Sequence, residues 1–282
     1  MPDCPRVHHL FIPDWHASAT PRAHDGAVAL RAAFGDLQPL IDVPVEPAGD
    51  PSAAQDGIVF RGPVLKQLRT AIRAIEHAAP SRLFSILGTC GAELAPVSYL
   101  NARYRGDLAV VWLDAHGDLN TPHTSPSKRF HGMVLRALLG DRDSDLSDLV
   151  AAPLTPRQVV LAGTRDLDPP EREYIDAVNI SLVKPDTADA FSDAVVSAVR
   201  ATGCRHAYVH LDLDVLDPAE FPNVLVPAPG GVSLAAVDRT LRALAASSDC
   251  VGLSIVEYAP GPRDLTNVVV RLAREAGVVP IT

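Results

Sequence analysis

Six apolar runs rich in branched residues recur along the chain: RLFSILG (82–88), DLAVVWLD (107–114), RQVVLAG (157–163), ISLVK (180–184), HAYVHLDLD (206–214) and CVGLSIVE (250–257). Amphipathic stretches with helical spacing lie among them, at 64–78 (VLKQLRTAIRAIEHA), 131–139, 188–201 and 233–246. Strands that are apolar on both faces must be covered on both sides, and strands that alternate with helices are joined by crossovers rather than hairpins. The pattern therefore predicts an α/β fold of three layers, α/β/α, around a mostly parallel sheet. Two Pro- and Gly-rich segments, 43–63 and 215–231, are expected to be ordered loops, since strand signals continue on either side. Over 282 residues there is no internal repeat and no linker-like segment. The expectation is one domain, 1–282.

Charge and composition narrow the function classes. The formal net charge is −9, and no basic patch stands out, which argues against a nucleic-acid partner. No stretch reaches the roughly 18 to 20 uninterrupted apolar residues of a membrane span. The opening MPDCPRVHHLFIPDW lacks a basic segment followed by an apolar one, so a cytoplasmic protein is expected. Cys4, Cys90, Cys204 and Cys250 form no CxxC pair, and disulfides are not expected. A cysteine that matters here would matter as a thiolate.

In open α/β sheets a ligand sits outside the carboxyl ends of the strands, and the polar residues of this chain gather at such ends. Thr89 and Cys90 follow FSIL, Asp114 to Asp118 follow AVVWL, Gly163 to Asp166 follow QVVLA, Asp212 and Asp214 end AYVHLDLD, and Glu257 ends LSIV. Five strands thus deliver polar side chains to one rim. In Asp114-x-His116-x-Asp118, residues two apart point to the same side while the chain stays extended, so two carboxylates and an imidazole converge. Alone, this string also suits an N-capping Asp with a surface His. Asp212-x-Asp214 repeats the pattern, and capping needs only one of those acids. Carboxylates gathered in this way repel one another unless a cation neutralises them, and His–carboxylate sets suit divalent Mn²⁺, Fe²⁺, Co²⁺ or Ni²⁺. Four carboxylates offset two dications, which suggests a bridged pair about 3.5 to 4 Å apart.

The strings LDAHGDLNTP, HLDLDVLDP and SIVEYAP resemble the signature segments of the ureohydrolase family of arginase, agmatinase and formimidoylglutamase, from about residue 82 onward. The resemblance implies a binuclear manganese hydrolase on a three-layer α/β fold, a homo-oligomer (trimer or hexamer) cleaving guanidino or formimino groups with metal-bound hydroxide. By the same resemblance Asp114 and Asp212 bridge the metals, Asp118 completes the first site, and His116 with Asp214 completes the second. Asp118 also counts among the catalytic residues. The substrate side is more similar to arginase than to the other members. Asn120 and Ser127 sit where arginases hold the α-carboxylate of arginine, and Asp168 and Glu171 where they address its α-amino end. His131 takes the place of the proton-shuttling histidine and Glu257 that of the carboxylate facing the guanidinium. Taken singly, Asp168 and Glu171 also suit a helix cap with a first-turn acid.

One segment departs from the family. Its first ligand is the histidine of a GGDH string, and here the segment reads LGTC, Leu87 to Cys90. Cys90 is either a thiolate ligand, which favours Zn²⁺ or Fe²⁺, or a small buried cysteine outside the metal shell. Thr89 replaces the GGDH acid, and residues 1–60 match only loosely. The function expected from the resemblance is hydrolysis of a guanidino compound to urea and an amine, with L-arginine the leading substrate. The alternatives are another guanidino or formimino acid, and an inactive binding or regulatory relative.

Overall fold

The structure, a computed structural model, describes residues 7–45, 54–141 and 145–277. Among these residues eight strands form one sheet: β1 (Val7–Ile12), β2 (Leu40–Asp42), β3 (Arg82–Leu87), β4 (Leu108–Leu113), β5 (Val159–Ala162), β6 (Ser181–Val183), β7 (His206–Asp212) and β8 (Asp249–Val256). Their order is β2-β1-β3-β8-β7-β4-β5-β6, and each neighbouring pair is parallel. The sheet is thus wholly parallel, and it contains the six expected strands plus β1 and β2.

The alternation along β4 shows why the sheet is covered on both faces. Ala109, Val111 and Leu113 join one apolar core while Leu108, Val110 and Trp112 join another, and all six side chains are fully buried. The first core takes in α1 (Arg22–Phe34), α6 (Ala188–Thr202), α7 (Leu234–Ser247) and α8 (Thr266–Ala276). The second takes in α2 (Arg61–Ala78), α3 (Leu94–Arg103), α4 (Val134–Leu138) and α5 (Pro169–Val178). Two helical layers on one parallel sheet follow directly from strands that have no polar face.

Local chemistry sets several boundaries. Ser233 caps α7 by accepting from the Ala236 N–H, and Gly203 ends α6 at φ +75°, a conformation that glycine adopts without strain. Helix α2 starts three residues before the 64–78 reading, and Pro63 falls in its first turn, where a missing N–H costs nothing. The 43–63 loop therefore ends sooner than expected, and its residues 46–53 lie outside the described ones. The 131–139 stretch divides into a 3₁₀ turn, Phe130–Met133, and α4. Among the described residues no helix is long and apolar enough to cross a membrane, and Cys90, Cys204 and Cys250 are free thiols. Cys4 lies outside the described residues.

The strand order also positions the site. The five strands that end in polar clusters stand side by side as β3-β8-β7-β4-β5, so the carboxyl ends of the middle of the sheet form one continuous rim.

Candidate metal centre

At the end of β4 the Asp114 carboxylate is held from both sides. Its Oδ1 accepts from the His116 N–H at 2.6 Å, and its Oδ2 accepts from the Trp112 indole N–H at 3.1 Å. The Thr164 hydroxyl, beyond β5, donates to the Asp114 carbonyl at 3.0 Å and ties the two strand ends together. At the end of β7, Asp212 Oδ1 accepts from the Asp214 N–H at 2.8 Å, and Asp214 Oδ1 accepts from the Ala115 N–H at 3.1 Å. His116 Nδ1 then stands 3.1 Å from Asp214 Oδ2 and 3.4 Å from Asp114 Oδ1. From β3, the Cys90 thiol donates to Asp212 Oδ2 at 3.0 Å, and the Cys90 N–H donates to Glu257 Oε1 at 3.1 Å. His131 Nδ1 lies 3.1 Å from the same Glu257 oxygen.

Two of these acids sit on strained backbone. Asp118 has φ +51° and Glu257 has φ +61°, a left-handed conformation that is uncommon for residues other than glycine. Both are buried, and Asp118 Oδ2 and Glu257 Oε2 make no hydrogen bond. Strained backbone that presents buried, unpartnered oxygens is costly unless those oxygens serve a ligand.

Burial and mutual repulsion push the Asp118 and Asp212 carboxyls well above the ordinary range, and Asp214 rises to about 6 for the same two reasons. Burial works against charge on His116 and His210, but the carboxylates around them outweigh it. His116 is raised, and His210 reaches about 9. Asp114 is buried as well, yet hydrogen bonds and charge from those two rings hold it below its usual value. Burial and crowding thus act against uncompensated negative charge in the cluster, and divalent cations could supply the compensation.

The donor atoms fall into groups that can each hold an ion. Cys90, Asp114, Asp118 and His210 offer ligand atoms all within 4.8 Å of one another, as do Asp114, His116 and Asp214, and also Cys90, Asp212 and Glu257. Asp114 belongs to two of the groups, as a bridging carboxylate would. Carboxylates and imidazoles with a single thiol are a set that suits divalent first-row ions, and the orphaned oxygens above are consistent with it.

Over these groups lies a cavity of about 280 Å³. Its lining includes Cys90, His116, Asp118, Asn120, Ser127, His131, Asp168, Glu171, Asp212, Asp214 and Glu257, while Asp114 lies fully buried close to it. Asn120 Nδ2 donates to Asp168 Oδ2 at 2.8 Å. Asp168 and Glu171 form a reciprocal capping box at the start of α5, and Glu171 also accepts from the Leu119 N–H at 2.8 Å. Both Glu171 oxygens thus hold backbone, so this acid shapes the wall and fixes Asp168.

Several residues of the site were not singled out by the sequence patterns. Asp14, just beyond β1, accepts from the Gly88 and Thr89 N–H groups at 3.1 Å each and from the Thr89 hydroxyl. The acid absent at position 89 is therefore answered by an acid from the N-terminal segment, whose contribution had gone unread. Glu93 and His210 lie beneath the rim, and Arg129 adds a cation to the cavity lining. An Asp ending a strand-like run, as in LFIPD, was the available pointer to Asp14. Nothing comparable marks His210.

The profile of the arginase family matches residues 14–277. The chain belongs to the arginase family. It is 33% identical over 172 residues to an arginase of Staphylococcus aureus, a match that covers 59% of this chain and 57% of that protein. It is 33% identical over 199 residues to the N(omega)-hydroxy-L-arginine amidinohydrolase of Streptomyces lavendulae, covering 68% of each. The matched part thus spans little more than half the length of the staphylococcal relative. Among solved structures, the Entamoeba histolytica arginase in complex with L-ornithine superposes with a TM-score of 0.86 at 20% identity, over 96% of this chain and 98% of that one. Bacillus caldovelox arginase gives 0.85 at 22%, over 97% and 98%. At such identities the likeness shows that this member of the arginase family shares the fold.

Proposed function

We propose that this arginase-family chain is an amidinohydrolase that uses two divalent ions, Mn²⁺ foremost, to hydrolyse L-arginine to urea and L-ornithine. The observation that carries the reading is Asp114, which two metal-capable groups share beside one cavity. The residues that would hold the ions are Asp114, Asp118, Asp212, Asp214 and His116. Bound there, the ions would turn water into a nucleophile at neutral pH.

The remaining steps belong to the chain itself. Glu257 has one oxygen occupied by Cys90 and His131 and the other free of hydrogen bonds, so Oε2 is available to orient a planar guanidinium. His131, anchored through Nδ1, keeps its second ring nitrogen to deliver a proton to the departing amine. Asn120, Ser127 and Asp168 offer partners to the α-amino and α-carboxylate groups, and Arg129 adds a positive charge for the carboxylate.

A second reading, hydrolysis of Nω-hydroxy-L-arginine, is supported by similarity to the S. lavendulae relative over 68% of both chains. The test is release of urea or hydroxyurea by the Mn²⁺-loaded protein. L-Arginine should exceed agmatine, which lacks the carboxylate, in kcat/KM by a factor on the order of 10⁴. A higher kcat/KM for the hydroxylated substrate would select the second reading. Agmatine equal to arginine would overturn both. Metal uptake without turnover of any guanidino acid would point to a binding protein.

A further inference from the structure

The group around Cys90 contains an imidazole that lies on β7, inside the sheet. His210 is 0% exposed, and its Nε2 makes no hydrogen bond. We propose that His210 Nε2 is the nitrogen ligand of the ion held by Asp114 and Asp118, and that Glu93 is the carboxylate that orients it. This inference rests on the two-ion reading above.

Three features of the geometry support it. First, Nε2 lies 3.5 Å from Asp114 Oδ2, and His210 offers a ligand atom within 4.8 Å of those of Cys90, Asp114 and Asp118. Second, His210 Nδ1 stands 2.8 Å from Glu93 Oε1. An ionised carboxylate only accepts, so Nδ1 carries the proton and Nε2 is the atom turned to the cluster. A metal-bound imidazole backed by a carboxylate is a common outer-shell arrangement. Third, the ring cannot easily turn away. Trp112, its register partner on β4, stacks on it with centroids 3.6 Å apart and planes 15° from parallel. Glu93 in turn is 0% exposed and is held by the Tyr208 hydroxyl at 2.7 Å and by the Ser254 hydroxyl. The imidazole expected at position 90 is thereby supplied from a different strand. A His–Glu pair with a purely structural role would give the same packing, but it would not respond to metal.

The experiment uses the full chain, stripped with a chelator and titrated with Mn²⁺, with bound metal counted by elemental analysis and free Mn²⁺ followed by electron paramagnetic resonance. The wild type should bind two ions, and His210→Ala should bind one, with the affinity of the remaining site unchanged. Because His210→Ala removes the imidazole partner of the buried Glu93 and could fail to fold, Glu93→Gln is the second variant. It is nearly isosteric and should weaken one of the two sites by about 10- to 100-fold. With Co²⁺ in place of Mn²⁺, the His210 Nδ1 proton should give an exchangeable, strongly shifted proton resonance that is missing in His210→Ala. Two ions bound at wild-type affinity by both variants would overturn the inference while leaving the two-ion reading intact. A wild type that binds no Mn²⁺ would overturn that reading, and the inference with it.

Discussion

Asp14 ties the N-terminal segment to the Gly88 and Thr89 backbone beside the site, and its titration can be isolated. Burial pushes its carboxyl up to about 7 from an ordinary 3.8, against three hydrogen bonds that favour the ionised form. Between those two values the folded chain keeps a proton that the unfolded chain has released. Stability therefore falls as the pH rises through this window and is flat above it. The full loss is about 4 kcal/mol, of which about 3 kcal/mol falls between about pH 4.5 and about pH 7.5. Asp14→Asn removes the titration without removing the contacts. The amide oxygen can accept from Gly88 and Thr89, and the amide nitrogen can donate to a reversed Thr89 hydroxyl. Groups that titrate alike in both proteins cancel in the difference. The assay is urea unfolding of both proteins in chelator at stepped pH, with ΔG taken from midpoint and slope. The wild-type stability minus the variant's should fall by about 3 kcal/mol across that range. A difference that stays level or rises with pH would refute the reasoning, because Asp14 would then be ionised in the fold at an ordinary pKa.

Other substitutions probe the same rim. His131→Ala should lower kcat by about 10²-fold or more while leaving bound metal unchanged, since its nearest acid is Glu257 at 3.1 Å; loss of an ion on metal analysis would show that the ring is a ligand instead. Gly88→Ala should prevent folding or abolish metal binding, because a Cβ there would lie 1.8 Å from the Asp14 carbonyl oxygen. A soluble Gly88→Ala protein with an unaltered melting temperature would contradict the backbone path between β1 and β3.

The rim was legible because its residues sit at strand ends, where a polar side chain after an apolar run has few structural reasons to be there. Asp114, His116, Asp118, Asp212, Asp214 and Glu257 all break such runs. Their convergence needed one further fact, the order β3-β8-β7-β4-β5, which no string of residues states. The edge strands were harder to read. β1, VHHLFI, carries two histidines, and β2 has only three residues. Helix α3 begins in LAP, with a proline in its first turn, and its short amphipathic pattern was lost between two strand signals. His210 was invisible for another reason. In HAYVHLDLD it falls among buried residues of a fully covered strand, where an imidazole reads as a satisfied core residue until its neighbours are known.

Those neighbours explain why a cysteine and a histidine can share one end of the sheet. A bound ion requires donors around a point in space, and the strand each donor comes from is immaterial. In the group formed by Cys90, Asp114, Asp118 and His210, Cys90 comes from the turn after β3 on a one-carbon stem, and Asp114 comes from the end of β4. His210 stands two residues before Asp212, about 7 Å further back along β7, and only a long side chain can span that distance. The thiol at position 90 occupies less room than an imidazole, and its sulfur lies within 4.8 Å of a His210 ring nitrogen. Trp112 and Ser254, paired with His210 across the sheet, then fix the ring plane and the carboxylate behind it. A short residue at the rim and a long one behind it thus bring a sulfur and a ring nitrogen within 4.8 Å of the same Asp114 and Asp118 carboxylates.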